Sequence, residues 1–253
     1  MTQTVTGGEG HTGSPDAPGP ASDAFTGFVL EVSRHQLAAW LGDRPQRILD
    51  LSAGCPTLLD HMVSRGNDVV HAGNTALTPY AARGRLHPVV ADPQRLDWVQ
   101  TGRFDAVVAE GGVLSTALAT EVTIEDVHAA LRPGGRLLLA VDSLLAGLSE
   151  LAEQGRWAEL TDVPSADVVL IPREQGRVTR CFWPEELEAM LRTAGFDVEW
   201  IRPRTVLSED TVSRALASTP DRLGELVATE LRLAVERQGE TIGAQLVASA
   251  VRP

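Results

Sequence analysis

Leu137 to Val141 is an unbroken apolar run, entered through Pro133-Gly134-Gly135. A strand without polar alternation has to be covered on both faces, so it belongs inside a sheet flanked by helices. The expected strand is Arg136–Val141, and strands with shorter apolar stretches at their centres recur at Arg47–Leu51, Gly66–Ala72, His87–Asp92 and Phe104–Glu110. Stretches with helical spacing separate several of them, at Leu58–Arg65, Pro93–Val99 and from Thr123 to Leu131, with a weaker one at Pro79–Arg83. This alternation predicts a Rossmann-like, doubly wound α/β sheet, mostly parallel, with right-handed crossovers and helices on both faces.

The flanking segments extend that plan. Phe25, Phe28, Val29, Val32, Leu37 and Trp40 form the apolar face of a first helix that stops near Gly42. Thr123 with Asp126 three residues later is close to a capping box. After the apolar run, a helix is expected over Leu144–Leu160, then a hairpin over about 165–182. Pro184 suits the first turn of a helix that runs to Gly195, and Phe196–Ile201 follows as a strand. A helical connection over about 206–238 leads to a last strand at Gly243–Val251. Seven sheet strands are expected besides the hairpin. Residues 1–23 are rich in Gly, Pro, Ser and Thr and read as a disordered tail, leaving 24–253 as one folded domain.

Composition narrows the function classes. A net charge of −12 argues against nucleic acid as partner and favours a small-molecule acceptor and a cationic ligand. Two cysteines, Cys55 and Cys181, make neither a metal pattern nor a disulfide framework and predict a reducing, cytoplasmic setting. No apolar run reaches the length of a membrane span, and no secretory pattern opens the chain.

Five stretches carry a resemblance to one family. They are Ile48-Leu-Asp-Leu-Ser-Ala-Gly54, Ala91-Asp-Pro-Gln-Arg-Leu-Asp-Trp98, Phe104-Asp-Ala-Val-Val-Ala-Glu110, Leu131-Arg-Pro-Gly-Gly-Arg-Leu-Leu-Leu139 and Trp183 to Phe196. In this order they resemble the class I S-adenosylmethionine-dependent methyltransferases, over roughly Phe25 to Pro253. The resemblance implies S-adenosyl-L-methionine as cofactor and a last strand antiparallel to the rest. It also implies cofactor contacts from Asp50, Ser52, Gly54, Asn74, Asp92, Glu110 and Gly111. Asp50 and Gly54 match positions near the methionine part, and the missing Cβ of Gly54 allows backbone to approach a ligand. Asn74 stands where a carboxylate usually holds the ribose hydroxyls, and Asp92 matches the acceptor of the adenine amino group. Glu110 and Gly111 match the meeting point of cofactor and acceptor. For Asp50 and Asp92 the bland reading is a loop carboxylate capping nearby amides.

Four residues depart from the family pattern. Ser52 and Pro56 replace glycines, Asn74 gives up charge-assisted pairing, and Pro93 offers no amide beside the adenine position. Methyl transfer depends chiefly on positioning, so no nucleophile is required. Glu110, His35 and His128 are the candidate bases, each weighed against an ordinary packing or surface role. Arg202 and Arg204 are candidates for an anionic substrate, weighed against solvated strand-end arginines. Two functions remain open: methyl transfer to a small molecule, or a non-catalytic protein of the same fold that binds a ligand or partner. The helical connection is a lid, a homodimer surface or padding. A nicotinamide oxidoreductase is disfavoured as a third reading, because Ser52 to Thr57 does not supply Gly-x-Gly-x-x-Gly.

Overall fold

A computed structural model describes residues 20–52, 55–74, 85–117, 119–163, 168–173 and 178–253, with side chains from residue 24 onward. The expected helix at Pro79–Arg83, the site residue Gly54 and most of the proposed tail lie outside these residues.

The first half alternates as expected: α1 (Pro20–Trp40), β1 (Arg47–Asp50), α2 (Pro56–Ser64), β2 (Asp68–Gly73), β3 (Leu86–Val90), β4 (Phe104–Ala109) and α3 (Thr120–Ala130). The apolar run lies in β5 (Leu131–Ser143), followed by α4 (Leu144–Glu153), α5 (Trp157–Asp162), β6 (Val169–Pro172) and β7 (Val178–Phe182). The chain ends with α6 (Pro184–Thr193), β8 (Asp197–Arg204), α7 (Glu209–Ser218), a 3-10 turn at Pro220–Arg222, α8 (Leu223–Glu236) and β9 (Gln245–Val251).

Parallel pairing gives the order β3-β2-β1-β4-β5, and β9 then pairs antiparallel with both β5 and β8. The chain winds outward from β1 through β2 to β3, then returns to place β4 on the other side of β1. The switch point therefore lies between β1 and β4, and open α/β sheets generally take their ligands at the C-terminal ends of the strands beside such a point.

The sheet has nine strands, not seven, because the hairpin joins it. Strand β7 pairs with β5 at Asp142 and Ser143, just past the last β4 partner of β5 at Leu139. The hairpin thus continues the sheet beyond the end of β4.

Alternation along β5 divides the core. Leu137, Leu139 and Val141 face Ile124 and Val127 of α3 and Leu187 and Leu191 of α6. Leu138 and Ala140 face Leu37 and Trp40 of α1 and Leu59 and Met62 of α2. Leu137 to Val141 are fully buried between the two layers, which is why the run has no polar positions. The connection after β8 packs Val212 and Val227 against Phe28 and Val32 of α1.

Three local expectations change. Residues 93–99 form turns rather than a helix. The Leu96 amide donates to Asp126 at 3.2 Å, and the Thr123 hydroxyl donates to the Gln94 carbonyl at 2.9 Å. Those two α3 side chains therefore bind a neighbouring loop instead of forming a capping box; α3 itself starts at Thr120. The helix expected over Leu144–Leu160 is broken into α4 and α5 by a turn at 154–156.

Candidate functional site at the strand ends

Helix α2 begins directly at Pro56, whose fixed φ and missing N–H suit the first helical position. The proline that departs from the family pattern is thus locally well placed. It moves the helix start closer to β1.

Asp50 ends β1 and is fully buried. Its Oδ2 lies 2.6 Å from Nδ1 of the buried His71, its register partner on β2, and its Oδ1 accepts the Ser52 amide at 3.2 Å. Ser52 is buried as well, and its hydroxyl accepts the Glu110 amide at 3.1 Å, tying the end of β1 to that of β4. Both residues hold the two strand ends that flank the switch point.

Glu110 is held by Arg204 from β8. The carboxylate accepts Nη2 at 2.6 Å and Nη1 at 3.1 Å, a two-pronged pair. The guanidinium also donates to Ser33 and Gln36 of α1 at 2.9 and 3.3 Å, and to Gln245 of β9 at 2.9 Å. Arg204 is 1% exposed and Glu110 is 3% exposed, so the charges are removed from water together. One cluster therefore joins β4, β8, β9 and α1 at one edge of the sheet. Gly111 and Gly112 follow with φ of 75° and 71°, turning the chain away from β4.

Asn74 and Asp92 are exposed, one residue beyond β2 and two beyond β3. The two strand ends are neighbours: Gly73 pairs with Val90, and the Ala91 amide donates to the Gly73 carbonyl at 3.1 Å. Asp92 accepts the Gln94 amide at 2.9 Å while its carboxylate stays open to solvent. The Gln94 side chain in turn donates to the Val113 carbonyl and Thr116 hydroxyl, joining this loop to the one after β4.

The structure does not bring the two candidate histidines to these strand ends. His35 is exposed on α1, 3.2 Å from Glu31. His128 packs edge-on against Phe196, with ring centroids 4.9 Å apart, just before β8 begins at the opposite edge. Burial holds its imidazole below the usual histidine pKa.

Asp142, which no local pattern in the sequence singles out, is the penultimate residue of β5 and pairs with Cys181 of the hairpin. Burial pushes its carboxyl up from the usual range, opposed by Arg173 at 3.2 Å. Cys181 of β7 is buried nearby, and burial, with Asp142 adding to it, raises the thiol to about 12. A thiol is reactive only as thiolate, so Cys181 is no nucleophile at neutral pH. Iodoacetamide at pH 8 should leave Cys181 unlabelled in the native protein and modify it after unfolding, read by peptide mass spectrometry. Rapid native labelling would contradict this burial.

Many solved structures share this arrangement. A methyltransferase of Burkholderia thailandensis acting on 1,6-didemethyltoxoflavin, crystallised with that molecule and S-adenosylhomocysteine, superposes with a TM-score of 0.59 at 19% identity. The match covers 94% of this chain and 93% of that one. The chain has the class I methyltransferase fold. An S-adenosylmethionine-dependent methyltransferase from Mesorhizobium loti matches with a TM-score of 0.59 at 16% identity, over 88% of this chain and all (100%) of that one. The cyclase SpnF matches with a TM-score of 0.50 at 16% identity, over 87% and 80% of the two chains. One fold carries more than one chemistry, so residues rather than topology have to argue the activity. No family model and no curated protein matches the sequence. Among the described residues, no helix is long and apolar enough to cross a membrane.

Proposed function

We propose that the protein is an S-adenosyl-L-methionine-dependent methyltransferase acting on a small molecule. The observation that carries this reading is the placement of Asn74 and Asp92. Two exposed polar side chains stand at the adjacent ends of β2 and β3, one and two strands from β1 at the switch point, suited to a ribose and an adenine amino group. When bound, the cofactor supplies a methyl group on an electrophilic sulfonium. Asp92 would accept from the adenine and Asn74 would bond the ribose, while Gly54, outside the described residues, is the residue the family resemblance assigns to the methionine part. Asp50, Ser52 and Glu110 set the spacing of the strand ends from below, as positioning residues. The acceptor would sit beside the loop after β4 and the hairpin, which the hydrogen bond from the Arg180 amide to the Ser115 carbonyl, 2.7 Å long, ties together. The net charge of −12 supports a small molecule over a nucleic acid.

A second reading, a ligand-binding protein without transfer, draws on one observation. Asp50 and Glu110 both spend their carboxylates on internal partners, His71 and Arg204.

Calorimetric titration with S-adenosylmethionine and S-adenosylhomocysteine tests the proposal. Binding is expected, with Asp92→Ala weakening it about tenfold or more through loss of one charge-assisted hydrogen bond. Asp92 is exposed, so the fold should survive the change. Absence of binding at millimolar cofactor sinks the methyltransferase reading. Binding without turnover on any acceptor favours the second reading.

A further inference from the structure

We infer that the cavity enclosed by α1, α8 and β8 binds a planar aromatic anion, at a site separate from the strand ends. The cavity measures about 360 Å³, a size suited to a small organic ligand. Trp40 and Trp200 provide aromatic walls, and Leu231 and Ala234 of α8 add apolar surface. Flat apolar surfaces of this kind favour a flat ligand body.

Charge then selects the ligand. Two guanidiniums reach the cavity. Arg136 is already matched by Glu199 at 2.8 Å, and it lies 4.8 Å from the ring centroid of Trp40. Arg202 is different. It stacks over Trp200 at 4.3 Å, and its one hydrogen bond among the described residues is a long one, 3.5 Å, to the Gln238 amide oxygen. No described carboxylate pairs with it, although the chain carries 34 acidic residues against 22 basic ones. Partial burial also disfavours its charged form. A cation kept beside an aromatic-walled cavity, without a carboxylate, is matched by an incoming anion. A carboxylate or sulfonate can accept two parallel N–H bonds from the guanidinium while the ring system lies along the tryptophans.

The cavity is distinct from the strand-end cluster. Gln36 forms part of its wall, and the same side chain accepts from Arg204 at 3.3 Å, so the Glu110–Arg204 pair lies behind that wall. The inference goes beyond the methyltransferase reading and does not depend on it.

The test is calorimetric titration with 2-naphthoate and its neutral counterpart 2-naphthamide. The full chain is expected to bind one naphthoate, and the amide at least tenfold more weakly. Arg202→Gln should weaken naphthoate at least tenfold and remove the preference for the acid. Ala39→Trp, an exposed change at the cavity wall, should block both probes while circular dichroism stays native. It keeps the test intact if Arg202→Gln does not fold. Absence of naphthoate binding at millimolar concentration, equal affinity for both probes, or undiminished binding to a folded Arg202→Gln or Ala39→Trp variant would overturn the assignment.

Discussion

Glu110→Ala should destabilise the protein by about 3–5 kcal/mol, because it leaves the Arg204 guanidinium buried without a counter-charge. Ser33, Gln36 and Gln245 still accept from Arg204, but neutral oxygens cannot replace a carboxylate for an ion removed from water. For a chain of this length the loss corresponds to a fall in melting temperature of roughly 10 °C. Urea unfolding with linear extrapolation measures it directly. The size of the effect reflects an orphaned charge, not the net worth of the pair. Glu110→Leu combined with Arg204→Met should therefore recover most of the stability, since apolar replacement of a buried pair is often close to neutral. A loss below about 1 kcal/mol in the single variant would mean that the guanidinium reaches water. Hydrogen exchange should also rise in α1, which Arg204 ties to the sheet through Ser33 and Gln36.

That pair marks a limit of sequence reading. Glu110 is visible as the residue that ends an apolar strand, and from there a role as base or cofactor contact is a fair inference. Its partner is 94 positions away and comes from a strand three places across the sheet. No local spacing can announce such a contact. Asp50 behaves the same way at shorter range: its register partner His71 follows 21 positions later, and only the alignment of β1 with β2 sets them side by side. The placement of Asn74 and Asp92, by contrast, was legible, because it depends only on where β2 and β3 end. They stand just past their strands, and strand ends can be read from where apolar runs stop.

The fold was legible for a related reason. Apolar runs such as Phe104–Ala109 report burial on both faces, and Pro184 reports a helix start, each through chemistry contained within a few residues. Where the backbone is satisfied from elsewhere, that economy fails. Residues 93–99 look helical, yet the Leu96 amide donates to Asp126 and the Gln94 carbonyl accepts from Thr123. The nine-stranded sheet was likewise out of reach. A hairpin is visible in sequence, but the pairing of Cys181 with Asp142 that adds it to the sheet is not.

Gly243→Ala should cost about 3 kcal/mol or more, though it adds only a methyl group. A Cβ at this position would stand 2.3 Å from the Arg204 carbonyl oxygen and 2.9 Å from the Arg204 carbonyl carbon and amide nitrogen. All three are backbone atoms of a sheet strand, so no side chain can swing aside. The junction around Gly243 is also tied on its other flank: its carbonyl accepts the Ser143 hydroxyl at 2.5 Å, and the Ala244 carbonyl accepts the Ser143 amide at 3.0 Å. Ser143 ends β5 and caps α4 through the Ala146 amide, so a displaced Gly243 pulls on that cap as well. The change should therefore move the backbone that carries Arg204 and disturb its grip on Glu110. A double variant tests this route. If both substitutions act through Arg204, Gly243→Ala with Glu110→Ala should destabilise by less than the sum of the two, by at least about 1 kcal/mol. Additivity within about 0.5 kcal/mol would show that the glycine serves only its own turn and leaves the buried pair untouched.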